Sequence, residues 1–351
     1  MQNRPPGGVE PAGGRRHNRA MLNALLIDQI LTALPHKRIG LLGDLFLDRY
    51  LDIDDALTEP SIETGLIAYQ VVDVRSYPGA LGTVINNLAA LGVGSIRPVA
   101  LIGDDGEGYE LRQALAALPA VSQAGVFAWP GRRTPTYTKP MLEVSGSPPR
   151  ELNRLDIKNR TPTPPEAEDH IIDSLESAWA EVDVWIVLDQ VSEVDCGVVT
   201  RRVARRVAEL ATTDPGKFVL ADSRRRIHEF QSVYVKPNAS EAAAFPGDPA
   251  AFARSLGRHV FLTRGELGID LFSPDGHQQN VPAYPVSGPI DIVGAGDSTS
   301  AGIACAVAAG ATIEQAAAFG NLVASITIQQ MGTTGTASPL QVRDRWRPIA
   351  G

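Results

Sequence analysis

Cysteine is nearly missing from this chain: Cys196 and Cys305 are the only two among 351 residues. Two, so far apart, make neither a disulfide framework nor a zinc site, and they read as small buried hydrophobes in a reducing cytosol. The six histidines are scattered without ligand spacing, which leaves a metal hydrolase unsupported. No apolar run approaches the length of a membrane span, so no membrane partner is expected. Basic residues are outnumbered, 32 to 40, for a net charge of -8. That balance excludes nucleic acid as the main partner, because phosphate backbones need a basic surface. There is no Walker A motif and no G-x-S-x-G nucleophile elbow. Residues 1–20 are polar and rich in Gly, Pro and Arg, without the apolar core of a signal peptide. They are expected to be a disordered tail on a cytoplasmic protein.

What the chain does have is a repeated pattern of short apolar runs, each ending in polar residues. Ile39–Leu42 runs into Gly43-Asp44 and Pro98–Ile102 into Gly103-Asp104-Asp105. Val184–Leu188 ends at Asp189 and Phe218–Ala221 at Asp222. Val233–Val235 leads to Lys236-Pro237-Asn238, and Val260–Leu262 to Thr263-Arg264-Gly265. Continuous runs of this kind suit strands buried on both faces of a parallel sheet. Helical periodicity falls between them, at 81–91, 107–117, 166–181, 197–211 and 239–256, with another helix at 21–34. The expected fold class is α/β: a three-layer, doubly wound, mostly parallel sheet in a domain over 21–345. Ligands of such sheets bind at the carboxyl ends of the strands, where these polar residues stand. Two stretches, about 45–78 and 131–157, read instead as short strands with turns. They are either an edge extension of the main sheet or a small β lid that excludes water during a reaction.

The strongest chemical signal is Gly294-Ala295-Gly296-Asp297, which opens a helix of small residues. The glycines allow a sharp turn, and the free N–H groups of a helix start attract an anion such as phosphate. Asp297 beside that pocket could accept a proton from an attacking hydroxyl, or could be an ordinary acidic first-turn residue. A dinucleotide fingerprint is excluded: Thr299 occupies the place of its third glycine, and a second helical stretch from Ile313 to about Met331 follows where a strand should. Asn238 and Glu241 form a second signal. They are read both as a helix capping box and as groups facing phosphates and organising Mg²⁺ through water. Thr263, Gly265 and Gly268 form a third. The turn they make is either a plain hairpin or a surface for a nucleotide.

Together these residues resemble the ribokinase-like (pfkB) carbohydrate kinases over about 38–340. The likeness is to the heptose-7-phosphate kinase branch of bacterial ADP-heptose synthesis, through Gly43-Asp44 to Asp48-Arg49-Tyr50, Leu152 to Asp156, and Thr333 to Ala337. The adenylyltransferase half often fused to that kinase is expected to be absent, since no H-x-G-H motif occurs. The resemblance implies ATP and Mg²⁺, with Asp297 as catalytic base and the amides of Gly294, Ala295, Gly296 and Asp297 as an anion hole. It implies a nucleotide side of Asp222, Asn238, Thr263, Gly265, Gly268 and Asn321, with Asn238 and Glu241 toward the metal. It places Asp44, Asp48, Gly79, Asn87, Lys139 and Arg154 around a sugar or sugar phosphate, with Arg49 a further cation for a substrate phosphate, and it suggests a homodimer through the lid strands. The substrate loop departs from the family pattern: Ala80 replaces a glycine and Thr83 an asparagine, and Gln190 replaces a tyrosine after Asp189. Two other readings stay open: a non-catalytic sugar- or nucleotide-binding protein, on account of that loop, and a kinase of hydroxymethyl heterocycles, a group that shares the turn at 294–297.

Overall fold

A computed structural model describes residues 21–332 and 334–346. The expected tail at 1–20 and Thr333 of the late motif lie outside the described residues. Nine strands form the main sheet, in the spatial order Gln278–Val281, Ile269–Phe272, Val260–Thr263, Tyr234–Val235, Phe218–Ser223, Val184–Asp189, Arg38–Gly43, Ser95–Gly103 and Val126–Trp129. From Val260–Thr263 to Val126–Trp129 the pairing is parallel; the other two strands are added antiparallel. The expected parallel sheet is there. The edge strands Gln278–Val281 and Val126–Trp129 were not expected: the first is mostly polar, and the second, though apolar, is only four residues long.

Both faces of the sheet are covered. One apolar cluster joins it to the helices Ala24–Ala33, Leu81–Leu91, Gly106–Ala116, Ala295–Ala308 and Ile313–Thr327. A second cluster, including the stacked Trp179 and Trp185, joins the opposite face to Pro165–Trp179, Arg201–Thr213 and Pro249–Leu256. This is the three-layer arrangement that strands apolar on both sides require. The helix expected over 239–256 is in fact two, Ala239–Ala242 and Pro249–Leu256. Pro246 and Pro249 interrupt it, and Gly247 between them has φ 125°, a conformation no helix continues through.

The stretches at 45–78 and 131–157 form a separate sheet. Its order is Leu155–Ile157, Thr136–Glu143, Leu45–Asp54, Val71–Ala80, with Arg150–Glu151 paired to Thr136–Glu143. The chain leaves the central main-sheet strand at Gly43, runs out along Leu45–Asp54, and returns antiparallel along Val71–Ala80 directly into the helix Leu81–Leu91. The smaller sheet therefore grows from the carboxyl ends of the main-sheet strands. No described helix is long and apolar enough to cross a membrane.

Candidate active site

The turn before the helix Ala295–Ala308 is shaped by Gly294, at φ 78° and ψ 3°. The Ala295 N–H closes the turn on the Ile292 carbonyl, 3.1 Å away. That is the third position of a type II turn, which calls for glycine. Asp291 fixes the turn in place: its two carboxylate oxygens accept the N–H groups of Val293 (3.0 Å) and Gly332 (3.1 Å). Behind the turn, Gly302 lies so close to Gly320 of the neighbouring helix that a β-carbon on it would sit 2.9 Å from the Gly320 Cα. The small side chains thus let two helices pack tightly and present one N-terminus outward. The Ala295 amide is already used, so the expected four-amide hole is corrected to three groups. The N–H groups of Gly294, Gly296 and Asp297 have no acceptor among the described residues.

Asp297 is half-buried on the first turn of this helix. Burial, reinforced by the negative charges of Asp222 and Asp48, pushes its carboxyl up to about 7 against the opposing pull of Lys236 and Arg224. Two of these influences were not anticipated. Lys236 is 3% exposed and ion-paired to Asp222 at 2.8 Å. A β-carbon on Gly296 would lie 3.4 Å from its ammonium nitrogen. Arg224 follows the strand Phe218–Ser223; its guanidinium makes no ion pair among the described residues and draws on Asp48, Glu241 and Asp297 together. A signal for both was present in the sequence. Each is a cation just past the carboxyl end of a main-sheet strand, in Asp222-Ser-Arg224 and in Val235-Lys236-Pro237-Asn238.

The capping reading of Asn238 and Glu241 holds. The Asn238 side-chain oxygen accepts the N–H groups of Ser240 (2.9 Å) and Glu241 (3.0 Å), and Glu241 Oε2 accepts the Asn238 N–H at 2.8 Å. Burial and the nearby Asp222 raise the Glu241 carboxyl above its ordinary value. Thr263 joins this loop through its N–H and hydroxyl, both on the Pro237 carbonyl. The second and third sequence signals are therefore neighbours in space. Gly268 has φ 86°, and a β-carbon there would collide with the Val281 carbonyl oxygen. Gly265, at φ 57°, faces open space.

At the other end of the site, Asp48 lies on the strand Leu45–Asp54. Burial raises its carboxyl, opposed by Lys139, whose ammonium is 3.6 Å away and also donates to the Tyr50 hydroxyl at 3.0 Å. A methyl group on Gly79 would lie 2.7 Å from an Asp48 oxygen, so the glycine makes room for the carboxylate. Other expected contacts are engaged elsewhere. Asp44 accepts backbone N–H groups from Gln190 (2.8 Å), Val191 (3.1 Å) and Val198 (2.7 Å); it fastens that loop to the sheet rather than facing a ligand. Asn87 is fully buried, and its amide donates to the Thr83 carbonyl within its own helix. Asn321 donates to the carbonyls of Val281 and Pro282. Arg154 is paired with Asp156, and Arg49 with Glu107 and Glu110. The loop expected to choose the substrate reaches the glycine turn through Thr83, whose methyl would lie 3.2 Å from a β-carbon on Gly294.

Strand-end acids, a cation pair and an outward helix start are the furniture of phosphoryl transfer. A model of the pfkB family of carbohydrate kinases matches residues 58–340. The chain belongs to that family. It is a carbohydrate kinase, as the resemblance implied, and among its relatives are proteins named bifunctional protein HldE. The bifunctional protein HldE of Gluconobacter oxydans is 28% identical over 309 residues, covering 84% of this kinase and 62% of the relative. That of Caulobacter vibrioides is 30% identical over 328 residues, covering 88% and 64%. The chain thus spans less than two thirds of these relatives' length. Among solved structures, Arabidopsis thaliana ribokinase complexed with ribose and ATP superimposes with TM-score 0.61 at 16% identity, over 89% of this kinase and 99% of that chain. A putative ribokinase II from E. coli with ATP and Mg²⁺ gives 0.62 at 17% identity, over 88% and 98%. They share its fold.

Proposed function

We propose that this kinase transfers the terminal phosphoryl group of ATP to a hydroxyl of a sugar or sugar phosphate, with Asp297 as the base. The observation that carries the reading is Asp297 itself. Its carboxyl is pushed up to about 7 at a helix start whose remaining amides are unpaired, and a general base works best when its pKa lies near the operating pH. The acceptor hydroxyl gives its proton to Asp297 while its oxygen forms the new bond to phosphorus and the bond to ADP breaks. The free amides of Gly294, Gly296 and Asp297 receive the charge on the transferred group.

The residues present also fit Mg²⁺. Glu241 keeps Oε1 outside the capping box, and Mg²⁺ favours one or two carboxylates plus water and phosphate oxygens over an all-protein cage. Among the described residues no cluster of three or more His, Cys, Asp or Glu forms such a cage. Bound there, the ion would neutralise phosphate charge, held by Glu241 and Asn238. The nucleotide lies toward Thr263, Gly265 and Gly268. The acceptor lies toward Asp48, Gly79 and Lys139, beneath the smaller sheet as a lid. Arg154, Arg49 and Lys139 all have acidic partners in the resting structure, so a phosphate on the acceptor would have to compete for them. A homodimer through the exposed edge strand Val71–Ala80 belongs to the same proposal: Val72 and Val74 are about half exposed there, and an open edge invites pairing. An ATP-dependent enzyme of this kind suits the cytoplasm.

The test is ADP release across a panel of sugars, sugar phosphates, nucleosides and hydroxymethyl heterocycles, with wild type and Asp297→Asn side by side. Turnover of a sugar or sugar phosphate that is largely lost in Asp297→Asn is expected. Turnover confined to heterocycles, or none at all, would overturn the substrate class or the activity respectively; near-normal turnover by the variant would overturn the base.

A further inference from the structure

Lys236 is the most buried cation at this site. Only 3% of it is exposed, and a buried lysine is expensive unless paired. Its partner is Asp222, 2.8 Å away, itself 7% exposed at the carboxyl end of its strand. The pair does not serve the sheet: the backbone there is already joined, the Lys236 N–H donating to the Ala221 carbonyl at 2.9 Å. The ammonium instead lies against Gly296, in ordinary contact distance of where a β-carbon would be. Asp297 follows Gly296 directly on the same turn. Three elements therefore meet at one nitrogen: the end of the strand Phe218–Ser223, the loop before Asn238 and the turn at Gly296.

A single ammonium with three N–H donors can satisfy Asp222 and still aim at least one donor elsewhere. Next to it stand the unpaired N–H groups of Gly296 and Asp297. Those amides alone carry only partial charge, whereas the group they are proposed to receive is a multiply charged phosphate. We propose that Lys236 completes the anion hole: its ammonium, held in place by Asp222, hydrogen-bonds the terminal phosphoryl group of the nucleotide before and during transfer. The nitrogen stays protonated throughout, since the proton released by the acceptor goes to Asp297. Asp222 is then a positioning residue, acting through Lys236. This inference rests on the functional reading above and extends it to a residue which that reading did not use.

The experiment compares wild type, Lys236→Met and the double variant Lys236→Met/Asp222→Asn. The double variant removes both charges together, so no unpaired carboxylate is left buried and the fold has no reason to fail. ATP and ADP affinities are measured by calorimetry with Mg²⁺ and no acceptor, and kcat and KM with whichever acceptor the wild type turns over. The expected result is a folded double variant whose affinity for ATP falls about ten- to a hundredfold while that for ADP barely changes. Its kcat should fall about 10²–10³-fold, with acceptor KM retained. Equal losses for ATP and ADP, or a folded double variant with wild-type kcat, would overturn the proposal. If the wild type turned over no acceptor, the functional reading would fall, and the ATP-against-ADP comparison would still decide the role of Lys236.

Discussion

Ala80→Gly should make this enzyme more stable. Ala80 joins the strand Val71–Ala80 to the helix Leu81–Leu91 and holds φ 52° with ψ -112°. Glycine enters that region freely, and an L-residue with a β-carbon does not. Strain of this kind amounts to about 1–3 kcal/mol. Against it stands the extra freedom that glycine gives the unfolded chain, about 0.4–1 kcal/mol. The difference leaves a gain of about 1 kcal/mol, which for a domain of this size raises the thermal midpoint by about 2 °C. Urea unfolding followed by far-UV circular dichroism is the direct assay, with the midpoint rising and the slope unchanged. A lower midpoint would refute the reasoning, because it would mean that the surroundings make Ala80 comfortable in this conformation. A kinetic consequence accompanies it. Ala80 follows Gly79, which lies against Asp48, so a looser loop should raise acceptor KM and leave kcat at saturation largely intact.

The remaining predictions concern single groups. Asp297 titrates at about 7, so kcat/KM should fall on its acid limb as pH drops through that value. The same shift runs against the fold: between the ordinary carboxyl value of 3.8 and about 7 the folded protein holds a proton that the unfolded chain has released, so stability declines as pH rises through this window. Asp297→Asn should therefore melt higher than wild type at pH 8, with the advantage shrinking toward pH 4; an advantage independent of pH would contradict the assignment. Gly268→Ala combines φ 86° with a collision against the Val281 carbonyl. It should destabilise the protein by about 2 kcal/mol or more in thermal melts. Asp44→Ala strips the acceptor from three backbone N–H groups. It should lower stability by about 3 kcal/mol while leaving acceptor KM unchanged in the folded protein; a selective rise in KM would restore Asp44 to the substrate.

The main sheet was legible because a strand buried on both faces leaves an apolar run that nothing else in a short segment explains. The sharp turn at 294–297 was legible because its glycines announce a positive-φ bend into a helix, which Gly294 makes at φ 78°. What the sequence could not convey is which way a polar side chain is already committed. Asp44, Asn87 and Asn321 have the same chemistry as ligand contacts, yet Asp44 and Asn321 are bonded to backbone 39 to 154 positions away and the Asn87 amide to its own helix. Asn238 and Glu241 carried two readings, and the capping geometry is the one on view, with Glu241 Oε1 outside it. Lys236 and Arg224 went unread for the opposite reason: a lysine or arginine is surface charge by default. Only the convergence of distant segments shows that Lys236 is buried between Asp222 and Gly296.

The way the smaller sheet is rooted has a mechanical consequence. Leu45–Asp54 is a ten-residue cantilever of about 33 Å, clamped beside Asp44 and returned to the body at Ala80. A tilt of about 10° at the clamp would carry its tip about 6 Å but Asp48, four residues out, only about 2 Å. Large excursions at the rim thus translate into small, geared displacements at Asp48, where the proposed acceptor would be held. Transfer rates respond to errors of about 1 Å in reactant placement, so under the proposed function the stiffness of the clamp would set how accurately a hydroxyl is delivered to Asp297.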